Sequence, residues 1–112
     1  MTETVRTRAA RKAIDLTGIV QGVGFRPYVY RLANECGLTG LIANTPAGVS
    51  IEVQGDAEAV ERFLERLPKE IPPLAKITGI APRDAELQQE TGFRIKASST
   101  RAAAKASITR IK

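Results

Sequence analysis

Apolar and polar positions change period several times along this chain, and each change marks an element. Residues 13 to 20, AIDLTGIV, set Ile14, Leu16, Gly18 and Val20 against Asp15 and Thr17 in a two-residue alternation, the pattern of a half-buried strand. After QGVG the period lengthens. Phe25, Val29, Leu32, Ala33 and Cys36 form one helical stripe, with Pro27 in the first turn and Gly37 just past the last. LTGLIAN (38 to 44) and VSIEVQ (49 to 54) read as two strands joined by the TPAG turn. Asp56 then suits a helix N-cap, and Ala57, Val60, Phe63, Leu64 and Leu67 repeat at helical spacing up to Pro68. AKITGIA (75 to 81) and GFRIKA (92 to 97) supply two further short strands.

The resulting order, β-α-β-β-α-β with one more strand at the end, is the split-βαβ plan. It predicts an α+β, ferredoxin-like fold: a mostly antiparallel five-stranded sheet with both helices on one face. The expected domain spans residues 13 to 97. Residues 1 to 12 are expected to be a basic N-terminal tail, and residues 98 to 112 a basic tail or linker in which Ile108 marks a further candidate strand.

Composition narrows the chemistry. A chain of 112 residues suits one domain with its own core. One cysteine and no histidine exclude a disulfide framework and a His/Cys metal site. Cys36 lies on the apolar helix stripe and reads as a small buried hydrophobe. No apolar run reaches membrane-spanning length, and MTETVRTRAARKA has no apolar leader core, so a cytoplasmic protein without membrane contact is expected.

The net charge of +5 invites a nucleic-acid reading until its distribution is examined. Residues 1 to 12 carry +3 and residues 98 to 112 carry +4, whereas residues 13 to 97 hold 9 basic and 11 acidic side chains. The basicity belongs to the ends. RNA-recognition modules share the same element order, but they stack bases on aromatic residues of their central strands. The strands expected at the centre here, AIDLTGIV and VSIEVQ, contain no aromatic residue, which argues against a nucleic-acid partner.

QGVGFR is the stretch with chemical potential. A dinucleotide fingerprint needs a third glycine, and a P-loop needs a terminal Lys-Ser/Thr pair; Phe25, Arg26 and Pro27 follow Gly24 instead. What the spacing does allow is a small-anion cradle: successive amides at a helix start, glycines permitting close approach, and the guanidinium fork of Arg26. By spacing alone, a tight turn followed by a solvated arginine accounts for these residues equally well. Asn44 could likewise simply open the NTPAG turn.

LTGIVQGVGFR resembles the signature of the acylphosphatase family without a gap. The resemblance runs from about residue 11 to residue 97, and FRPYVYRLA and PPLAKI are most similar to the N-terminal acylphosphatase-like domain of hydrogenase maturation carbamoyltransferases of the HypF type. It implies that Gln21, Gly22, Val23, Gly24, Phe25 and Arg26 bind the substrate phosphate, and that Asn44 holds the attacking water. Leu41 stands where free-standing family members usually carry an aromatic residue. The implied activity is hydrolysis of acyl phosphates, carbamoyl phosphate foremost, without metal or cofactor. In the longer carbamoyltransferases, zinc-binding and carbamoyl-adenylate-forming domains follow and would be this domain's partners. A non-catalytic phosphate-binding or interaction domain is the alternative.

Overall fold

A computed structural model describes residues 8–96. Five strands and two helices follow one another as β1 (Ala9–Ile19), α1 (Phe25–Glu35), β2 (Thr39–Thr45), β3 (Gly48–Asp56), α2 (Ala57–Arg66), β4 (Lys76–Asp84) and β5 (Phe93–Ile95). The strand order in the single sheet is β4-β1-β3-β2-β5. Every neighbouring pair is antiparallel except β2 and β5, which run parallel. This is the expected ferredoxin-like arrangement.

Register explains why one face of the sheet takes the helices. Ile14, Ile51 and Ile42 lie in one line across β1, β3 and β2, and Leu16, Val49 and Asn44 in the next. Partners directly opposite share a face, so the five apolar side chains form a continuous surface with Asn44 at its margin. On it pack Phe25, Val29 and Leu32 of α1 and Val60 and Phe63 of α2, all at 2 % exposure or less. α1 lies over β2 and β5, and α2 over β1 and β3. Fully burying each such side chain contributes roughly 1.5–3 kcal/mol.

Three elements differ from expectation. β1 begins at Ala9, so residues 9–12, assigned by their charge to a solvated tail, are strand instead. Arg11 is 2 % exposed because it faces the helix-free side of the sheet, where its guanidinium meets Glu52 and Glu90. β4 extends to Asp84 and includes Pro82; an edge strand tolerates proline because one row of its backbone donors needs no partner. Asp56 does occupy the N-cap of α2, but its side chain makes no cap bond, and the Ala57 amide donates to the Arg8 carbonyl at 2.9 Å. Ala97 and the candidate strand near Ile108 lie outside the described residues.

Candidate active site

The QGVGFR stretch forms the loop and helix start between β1 and α1. Gly22 has φ 74° and Gly24 φ 80°, both in the left-handed region that glycine adopts without steric cost. Gly24 is the N-cap of α1, with ψ 16°. A Cβ built on either glycine would meet no heavy atom within 4 Å, so the surface over the loop is open.

Electrostatics at this helix start favour an anion. The first turn of α1 holds no acidic side chain, and the partial positive charge of the helix end is therefore not offset from within the helix. Among the described residues, no amide from Gly22 to Gly24 donates to a backbone carbonyl. The run of donors stops at Pro27, which has no N–H, and the next amide, Tyr28, already closes the helix onto the Gly24 carbonyl at 3.3 Å.

The six residues of the stretch divide their work. Phe25 is 1 % exposed and meets Tyr28 edge-on at 5.6 Å between ring centroids, so its ring anchors the helix start while only its amide remains for a ligand. Val23 is partly buried against the same core. Arg26 is half-buried, and among the described residues it has no carboxylate at ion-pair distance. Gln21 turns its side chain to the framework: Nε2 donates to the carbonyls of Thr45 and Gly48, each at 2.7 Å.

Asn44 is the penultimate residue of β2, half-buried and opposite Val49. β1 and β2 both run antiparallel to β3, so their C-termini lie at the same end of the sheet. Asn44 and the loop following β1 therefore share that end, and the bond from Gln21 to Thr45 joins the loop to the residue next to Asn44. The Gln21 contacts span 24 and 27 positions, and no spacing rule could have announced them.

The two tyrosines near the stretch are framework. Tyr28 is buried, and its hydroxyl donates to the Leu67 carbonyl at 2.8 Å; burial, reinforced by the charge of Glu70, pushes its pKa up to about 12. Tyr30 is exposed and packs edge-on against Phe93 of β5 at 6.3 Å. A surface groove beside β4, lined by Pro68, Ile71, Ala75, Ile77 and Ile80, contains none of the cradle residues.

The sequence profile of the acylphosphatase family matches residues 12–95, nearly the whole described body. This chain belongs to the acylphosphatase family. It is 37% identical over 83 residues to an acylphosphatase of Archaeoglobus fulgidus, covering 73% of this chain and 92% of that protein. It is 48% identical over 93 residues to carbamoyltransferase HypF2 of Cupriavidus necator, covering 82% of this chain but 12% of that protein. The acylphosphatase fold also superposes on a full-length HypF crystal structure in its phosphate- and nucleotide-bound form, with TM-score 0.79 and 33% identity over 82% of this chain and 12% of that one. The chain thus spans about an eighth of the carbamoyltransferases it matches. No described helix is long and apolar enough to cross a membrane.

Proposed function

We propose that this acylphosphatase-family chain hydrolyses acyl phosphates, with carbamoyl phosphate as the substrate suggested by its likeness to HypF carbamoyltransferases. The observation that carries the reading is the open glycine loop at the start of α1, hydrogen-bonded through Gln21 to the hairpin that bears Asn44. The phosphate sits on the amides of residues 21–26, and the Arg26 fork takes two of its oxygens. Asn44 orients water in line with the scissile bond. Attack on phosphorus breaks the bond to the bridging oxygen and releases a carboxylate, or carbamate from carbamoyl phosphate; a phosphate oxygen accepts the water proton.

An acyl phosphate is already activated, so positioning and charge stabilisation suffice without a strong protein base. The absence of histidine from the sequence agrees with such a mechanism. By likeness, the chain serves as the N-terminal domain of a carbamoyltransferase in nickel-iron hydrogenase maturation. Phosphate release from carbamoyl and acetyl phosphate tests the activity, comparing the parent with Arg26→Ala and Asn44→Ala. Parental rates in both variants would refute the assignment. An inactive parent that binds inorganic phosphate through Arg26 would mark a phosphate-binding domain instead.

A further inference from the structure

Gln21 stands within the glycine loop, yet its side chain turns to the framework. Both of its partners are carbonyl oxygens, so the carboxamide must present its NH2 end to the hairpin, using both donor hydrogens. Those carbonyls belong to Thr45 and Gly48, the two ends of the β2–β3 turn. The turn is itself closed by the Gly48 amide donating to Thr45 Oγ1 at 3.0 Å. On its other side it is pressed onto β1: a Cβ at Gly48 would collide with the Leu16 carbonyl oxygen. The turn is therefore held at three points, and the residue directly before its first gripped carbonyl is Asn44.

We infer that Gln21 is a positioning residue: its carboxamide sets the distance between the phosphate cradle and Asn44, and so acts on the rate of water attack rather than on phosphate affinity. The inference rests on the acyl-phosphate reading above and deepens it. A cradle alone can hold phosphate. In-line attack also requires that the group orienting the water be fixed relative to the held phosphorus, and these two groups come from different connections of the fold. Among the described residues, the Gln21 side chain makes the hydrogen bonds that run from the cradle to that turn. A misplacement of about 1 Å in such a site costs on the order of 100-fold in rate.

The experiment is a double-mutant cycle on the whole chain with acetyl phosphate: parent, Gln21→Met, Asn44→Ala and the double variant, with inorganic phosphate as the binding probe. Methionine keeps the length and removes both donors. Gln21→Met is expected to lower kcat by about 10- to 100-fold, leave KM and the phosphate inhibition constant within about 3-fold, and change the rate less than about 2-fold once Asn44 is already alanine. Gln21→Lys, whose ammonium can donate to the same carbonyls, is expected to retain most of kcat, and it serves as the second variant if Gln21→Met does not fold.

Multiplicative losses in the double variant would overturn the coupling while leaving the acyl-phosphate reading intact. The same holds for a parental kcat in folded Gln21→Met, or a collapsed kcat in folded Gln21→Lys. A parental rate in Asn44→Ala would overturn the coupling and the water-orienting role of Asn44, whereas failure of the acyl-phosphate reading itself would show as a parent that releases no phosphate.

Discussion

Arg11 and Glu90 lie 79 positions apart in the chain and meet at 2.7 Å beneath the sheet. Arg11 Nε and Nη2 also donate to Glu52, and Nη1 to Gln54 at 3.1 Å, while Glu90 accepts from the Thr39 hydroxyl at 3.1 Å. The Gln88 amide and carbonyl pair with the Gln54 side chain. Through these bonds the connection from β4 to β5 crosses the helix-free face from one sheet edge to the other. It is a polar strap, and it delivers β5 to the free side of β2. Burial opposes the Arg11 charge, but the hydrogen bonds that Arg11 donates to Glu90 and Glu52 hold its pKa above the ordinary value.

Cutting the strap should destabilise the fold in an order set by burial. Glu90 has 9% side-chain exposure and Glu52 31%, so Glu90→Ala leaves Arg11 more poorly compensated than Glu52→Ala. Glu90→Ala is expected to cost about 2–4 kcal/mol, below the upper range for a broken buried pair because Glu52 remains. Urea unfolding of the two variants checks the order; equal losses would show that burial of the carboxylate does not set it.

Arg26→Ala should lower acyl-phosphate turnover by about 10²–10³-fold, the usual effect of removing one preorganised charge donor. Arg26→Lys should recover only part of that loss, because an ammonium cannot make the two parallel bonds of a guanidinium. Steady-state phosphate release gives both numbers, and a fully active lysine variant would show that charge, not geometry, is what the site needs.

Gly24→Ala should cost about 1–2 kcal/mol of stability through its left-handed φ of 80°. The space above Gly24 is open, so the penalty is conformational rather than a clash. Gly24→Asn, which tolerates that conformation better, should therefore lose less. Thermal unfolding of the two variants decides; equal losses would implicate something other than φ.

Tyr28 gives an alkaline signature. The phenol's ordinary pKa of 10.0 is raised to about 12 in the fold, so the folded state keeps the proton longer than the unfolded one. The corresponding stability is fully present below pH 10 and is lost as pH rises toward 12. Tyr28→Phe should cost about 1 kcal/mol at neutral pH for the lost bond to the Leu67 carbonyl, and should flatten the decline above pH 10 relative to the parent. Denaturant midpoints at several pH values measure it, and parallel curves for the two proteins would contradict it.

Much of the fold was legible because the elements are amphipathic at their own periods. Val49, Ile51 and Val53 alternate and are all buried; Val60, Phe63 and Leu67 recur at helical spacing and are buried too. The cradle was legible for a different reason, since its glycines, arginine and proline are contiguous and their backbone demands are local. Arg11 was misplaced because a buried arginine and a solvated one look alike in a string of letters. Only its partners, supplied by β3 and the strap, separate the two.

QGVGFR by itself determined a left-handed glycine loop, a helix start free of acidic residues, and a guanidinium beside it. Those properties follow from φ preferences and charges within six residues. The tertiary structure decided that Asn44 lies at the same end of the sheet as this loop and that Gln21 ties the loop to the turn beside Asn44, because these contacts cross 24 and 27 positions. The register of β1, β3 and β2 sets them, and register is a property of the folded sheet, which no short stretch of sequence contains.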